Sequence, residues 1–110
     1  MVGEEMLIYI SAPFSKGDQF VNVRNACLAG DEILKLGHYP IVPHLTALWH
    51  AISPKTFEEW LKIDCVIIPR VDALLRLPGE SVGADREVAL AKSIGVHVYY
   101  SLQEIKDDTT

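Results

Sequence analysis

Two carboxylates stand where the pattern calls for apolar side chains. Segment 54–68 reads as a helix. Stepped at about 100° per residue, it gathers Phe57, Trp60, Leu61, Ile67 and Ile68 on one arc, with Asp64 in the middle. A second helix begins at Ser81 or Gly83. Its inward arc is Ala84, Val88, Ala91 and Ile94, and Glu87 lies inside that arc while Asp85, Arg86, Lys92 and Ser93 lie opposite. A buried, unpaired carboxylate is expensive, so such groups are either bound to a cap, an Arg or a Tyr, or they are functional. Two of them on helices flanking the same strand favour function. Paired carboxyls are a recurring solution for glycosidic bond cleavage, one attacking or stabilising the anomeric carbon and the other handling the leaving group. The pair alone does not identify a substrate. Glu87 lies one turn inside its helix, whose positive end is expected to keep it ionised. Asp64 lies near the far end of its helix, where the macrodipole opposes its charge and is expected to help it keep a proton.

Other residues could assist. Tyr9 on a central first strand has a polar tip that needs a partner, and its hydroxyl is placed to reach Glu87. Ser81-Val82-Gly83-Ala84 opens a helix, either cradling a phosphate or hydroxyl on backbone N–H groups or serving as an ordinary cap. Arg76 either binds an anion or neutralises the acids. No dinucleotide fingerprint or Walker motif is present. His44 and His50 lie six apart with no Cys nearby, a poor metal set, and no metal or cofactor is expected.

The elements that must position these groups alternate strand and helix. Residues 6–10 form a short apolar strand. Asp18 caps a helix running to Leu36 and stopped by Gly37, with a stripe of Phe20, Val23, Cys27, Gly30 and Leu34. Gly30 on the stripe points to close approach to a sheet. Strand 39–42 carries Pro40, which suits an outer position. Residues 43–52 read as a long binding loop, and Ser53-Pro54 as N-cap and N1 of the next helix, which ends before Pro69. Strands follow at 71–77 and 97–100, then a last helical turn at 102–105; 1–5 and 106–110 read as frayed ends. This order predicts a small doubly wound, Rossmann- or flavodoxin-like three-layer α/β sandwich with four or five parallel strands. Ligands then bind beyond the carboxyl ends of the strands, where segments 11–17, 43–50 and 77–87 meet.

Composition narrows the class. At 110 residues the chain is expected to be one domain, with its core over 6–105, and it is too short for a separate cofactor domain. It is 49% apolar and 23% charged, ordinary globular values. Fifteen acids against ten bases, net −5 with no basic cluster, argue against duplex nucleic acid as a partner. No apolar stretch is long enough for a membrane span, and the acidic start Met1-Val2-Gly3-Glu4-Glu5 does not read as a secretory signal. Cys27 and Cys65 read as buried thiols in a reducing cytoplasm.

Several motifs resemble the nucleoside 2-deoxyribosyltransferase-like superfamily. Tyr9-Ile10-Ser11-Ala12-Pro13-Phe14 is similar to the first-strand signature of the deoxyribosyltransferases. Ser81, Gly83 and Glu87 match the Ser-x-Gly-x-x-x-Glu stretch of deoxynucleoside 5′-monophosphate N-glycosidases, and Asp64 and Asp72 match an Asp pair eight residues apart. Pro43-His44-Leu45-Thr46, Trp60-Leu61, 72–79 and 83–87 resemble a bacterial and phage branch. Two positions depart from the pattern: Ala12 stands for a Gly, and Ser15-Lys16-Gly17 lacks the Arg that the monophosphate enzymes use on phosphate.

The resemblance implies cleavage or transfer at the N-glycosidic bond of a nucleoside or nucleotide. Glu87 is the implied nucleophile toward C1′, with Asp64 at the leaving base and Tyr9 orienting Glu87. The implied substrate contacts are Ser11, Ala12, Pro13, Phe14, His44, Arg76, Ser81 and Gly83. It also implies a homodimer or higher oligomer with each site near an interface, for which Trp49, Tyr99 and Tyr100 are the aromatic candidates. Two other readings stay open: a non-catalytic nucleotide-binding module of the same fold, and a hydrolase of nicotinamide-type glycosides.

Overall fold

The computed structural model describes residues 4–109. Four parallel strands form one sheet: β1 (Leu7–Ser11), β2 (Tyr39–Ile41), β3 (Ala73–Arg76) and β4 (His97–Tyr99), in the order β2-β1-β3-β4. Every neighbouring pair is parallel, so each connection crosses over through helix, and the doubly wound α/β architecture holds with four strands. β1 is central and the Pro40 strand is an edge, as expected.

Side chains alternate across β1. Ile8 and Ile10 face α1 (Gln19–Lys35) and α5 (Leu102–Thr109), packing with Ala26, Ala29, Ile33, Tyr99 and Ile105. Tyr9 faces the other layer, with Ile68, Leu74 and Ala91. That layer holds α3 (Phe57–Ile67), a 3-10 turn (Ile68–Arg70) and α4 (Val82–Ile94). Chain order reverses between β1 and β3, where a doubly wound sheet opens a crevice.

Several local expectations are corrected. The buried face of α1 is Ala26, Ala29, Gly30 and Ile33, whereas Phe20 is 80% exposed and Leu34 is also exposed. Small residues let this helix come close to β2: a Cβ on Gly30 would lie 3.3 Å from Val42. The larger apolar side chains therefore fall on its flanks. Segment 43–52 is not a loop. It is a 3-10 turn (Pro43–Thr46), with Pro at its first position, followed by α2 (Ala47–Ile52). α3 starts at Phe57 rather than after Ser53, because Thr56 and Glu59 form a reciprocal capping box that satisfies two backbone N–H groups. Strand 71–77 shortens to β3. Residues 102–109 form α5, in which Asp108 accepts a hydrogen bond from Tyr99, so 106–109 are not a frayed tail; residues 1–3 and 110 lie outside the described residues. Cys27 and Cys65 are half-buried free thiols, not fully buried ones. Tyr99 is core, which removes it from the interface candidates; Trp49 and Tyr100 are exposed.

Candidate active site

A cavity of about 420 Å³ opens at the carboxyl edge of β1. Its lining comes from three of the expected places, the turn after β1, the 43–50 segment and the start of α4, and from α3 as well. Glu87, Asp64 and Tyr9 all face it. Three elements bring them there. β1 directs Tyr9 and Ser11 to the α4 side because they are two residues apart. Ser81 caps α4 by accepting from the Ala84 N–H at 3.1 Å, which sets the phase of the helix and turns Ala84, Glu87 and Ala91 inward. The capping box sets the phase of α3 and so the position of Asp64.

Glu87 is 6% exposed, and both its carboxylate oxygens are bonded. The Tyr9 hydroxyl donates to Oε2 and the Ser11 hydroxyl to Oε1, each at 2.8 Å. Asp64 faces the same cavity and interacts electrostatically with both Glu87 and Tyr9. Burial, then the neighbouring Asp64 carboxyl, push Glu87 up to about 8, against the pull of the Ser11 and Tyr9 hydroxyls. Burial raises Asp64 as well, opposed by Glu87, Tyr9 and His44. The expectation of a Glu87 kept ionised by its helix is therefore corrected: desolvation and a like-charged neighbour outweigh the macrodipole, which weakens beyond the first turn. Both acids therefore hold a proton to higher pH than a free carboxyl does. Burial and the same two carboxyls raise the Tyr9 phenol, so it stays a donor.

His44 is buried, and burial lowers its pKa. Its Nε2 lies 2.9 Å from the Pro13 carbonyl, which can only accept, so Nε2 carries the proton and Nδ1 is a lone-pair acceptor without a partner. Phe14 meets the His44 ring edge-on and lines the cavity with it. The wall from α3 was not expected in the sequence. Trp60 donates from Nε1 to His50 Nδ1 at 2.7 Å, packs edge-on against Trp49, and lies under the Lys55 ammonium. Trp60 shares an arc with Asp64, the one signal that could have found this wall.

The expected substrate contacts divide. Ala12, Phe14, His44, Ser81 and Gly83 line the cavity. Ser11, Pro13 and Arg76 do not. Ser11 is 0% exposed beneath Glu87. Pro13 packs on Gly79 and holds His44 through its carbonyl. The Arg76 guanidinium is spent on the Leu77 and Gly79 carbonyls and on Asp85 at 3.1 Å, so it braces the turn after β3 rather than meeting a ligand or the acid pair. Asp72 ties the opposite end of the sheet, accepting from the Leu7 N–H at 2.8 Å. Among the described residues no three His, Cys, Asp or Glu side chains group as a metal site, and no helix is long and apolar enough to cross a membrane.

No family model and no curated protein matches the chain. Among solved structures, it superposes on a 2-deoxyribosyltransferase from the psychrotolerant bacterium Bacillus psychrosaccharolyticus, described as a biocatalyst for the synthesis of antiviral and antitumoral nucleosides. The TM-score is 0.66 at 16% identity, over 92% of this chain and 90% of that one. At that identity the likeness is one of fold: the chain is built on the same α/β framework as that nucleoside-making enzyme.

Proposed function

We propose that the protein cleaves or transfers at the N-glycosidic bond of a nucleoside or nucleotide, with Glu87 as nucleophile. The observation that carries this reading is Glu87 itself. It is an acid held at both oxygens by buried hydroxyls, beside a second acid, at the floor of a cavity in a fold shared with a deoxyribosyltransferase. A pair sharing one proton has the composition the reaction needs. A Glu87 oxygen attacks C1′, the bond from C1′ to the base nitrogen breaks, and the base leaves with the proton held by Asp64. The glycosyl ester is then opened at C1′ by water, which hydrolyses it, or by the nitrogen of a second base, which transfers the sugar; the C1′–Glu87 bond breaks, the attacking group's proton passes to Asp64, and the pair is restored. Tyr9 orients the carboxylate. Phe14, His44 and the aromatic wall of α3 contact the sugar and base, with Ala12, Ser81 and Gly83 at the rim. This chemistry calls for no metal or cofactor.

The reading includes a cytoplasmic location, where nucleosides are processed and half-buried thiols stay reduced. It also includes a homodimer.

The test is chromatographic. The purified protein is incubated with a panel of nucleosides and nucleotides, with and without a free acceptor base, beside a Glu87→Gln control. Base release by the wild type and not the control supports the reading, and new nucleoside formed with acceptor present assigns transfer. Release of nicotinamide from its glycosides would move the substrate class. Binding without turnover of any panel member would make the protein a binding module.

A further inference from the structure

Two strand residues hold Glu87. Tyr9 is one; the other, Ser11, lies two positions on along β1, about 7 Å away on the same face. We propose that Ser11 is a positioning residue for Glu87, its hydroxyl clamping the second carboxylate oxygen so that the acid presents one fixed edge to the cavity.

Ser11 is fully buried and does not line the cavity, so it is not a substrate contact. Its register opposite Arg76 in β3 fixes the backbone it stands on. Its hydroxyl has one proton and two possible acceptors: Glu87 Oε1 at 2.8 Å and the Ala84 carbonyl at 3.4 Å. The short contact to a carboxylate oxygen wins while Glu87 is ionised, because a charge-assisted hydrogen bond is the stronger. When Glu87 holds the proton, the hydroxyl can turn toward Ala84 and accept from the acid instead. Ser11 thus follows the protonation of Glu87 without moving a heavy atom. With Tyr9 alone, the carboxylate would be free to swing about its last single bond. With both hydroxyls bonded, its plane is set, and each oxygen keeps a second lone pair for other work.

The other groups facing Glu87 are Tyr9 from β1 and Asp64 and Cys65 from α3, with His44 facing Asp64 from the 3-10 turn. The Ser11 and Tyr9 hydroxyls favour the charged form of Glu87, against burial and Asp64. Loss of Ser11 must therefore shift Glu87 toward higher pH.

The catalytic meaning of this clamp rests on the proposed function; the clamp itself does not. Carboxyl ¹³C NMR titration, with Glu87 assigned by Glu87→Gln, reads it without turnover. In Ser11→Ala the apparent midpoint is expected to rise by about one pH unit, the scale of a hydrogen bond to an ionised group. Ser11→Cys, of similar size but with a weak donor, is expected to show a rise of the same sign. In the base-release assay, kcat near neutral pH falls because the carboxylate is less well placed, and its alkaline limb moves up with the NMR midpoint, while KM stays within about twofold because the substrate does not touch Ser11. An unmoved midpoint in both folded variants, or a raised KM with kcat intact, would overturn the proposal. If wild-type protein releases no base, the glycosidic reading fails while the titration still decides the role of Ser11.

Discussion

Glu87 binds two hydroxyls and is raised by burial and by Asp64, and its titration should be visible in two independent measurements. The form competent for displacement is the singly protonated pair. Activity is expected to follow a bell, with its alkaline limb near pH 8 as the last proton leaves. A rate still rising through pH 9 would contradict it. Stability carries the same signature with a definite sign. Glu87 is raised from 4.5 to about 8, so between those values the folded protein keeps a proton that the unfolded chain has released. Unfolding then releases a proton, and stability falls as pH rises through this window. Denaturant melts from pH 5 to pH 8.5 are expected to show that decline in the wild type and a flatter line in Glu87→Gln. On turnover, Glu87→Gln is expected to cost at least ~10³-fold in kcat with the fold intact, since Gln is no nucleophile. The contact between Tyr9 and Glu87 was legible beforehand from a central strand and an inward helical arc. The upward shift of both acids was not, because it depends on how deeply two helices bury two acids together, and no periodicity encodes depth.

At the scale of elements, strands and their order were readable because short apolar runs alternate with capped helices, and Pro40 marked an edge. Helix faces were less so. The stripe through Phe20 and Leu34 and the stripe through Ala26 and Ile33 both fit a helical period, and hydropathy favoured the larger side chains. Close packing against β2 selected the smaller ones instead. Likewise Ser53-Pro54 looked like a helix start, but the Thr56–Glu59 box satisfies more orphan N–H groups and wins. Thr56→Ala is therefore expected to cost about 1 kcal/mol in a denaturant melt, and Ser53→Ala close to nothing. The turn after β3 makes a sharper case. Gly79 has φ +119, and a Cβ there would sit 2.7 Å from Pro13. Gly79→Ala is expected to destabilise by about 1–3 kcal/mol and, by displacing Pro13, to loosen its carbonyl from His44. A melt unchanged by Gly79→Ala would contradict this.

At the scale of the whole molecule, the small sheet leaves one wall of the cavity to α2 and α3, and α2 buries none of its own residues. Leu45, Leu48, Trp49 and Ile52 stand exposed at helical spacing beside the mouth. A contiguous apolar stripe of this kind fits the proposed homodimer better than the aromatic residues of the last strand do. Light scattering is expected to give a mass above 12.2 kDa at high micromolar concentration, and Leu48→Glu to lower it. A constant monomer mass with full activity would remove the dimer and leave the chemistry of Glu87 untouched. That chemistry is tested most directly by trapping. A nucleoside bearing a 2-fluoro sugar, incubated with the protein, digested and read by mass spectrometry, is expected to leave the sugar mass on the peptide containing Glu87 and nothing on Glu87→Gln. Base release with no adduct on that peptide, together with inversion at C1′ in the product NMR, would contradict the covalent role of Glu87.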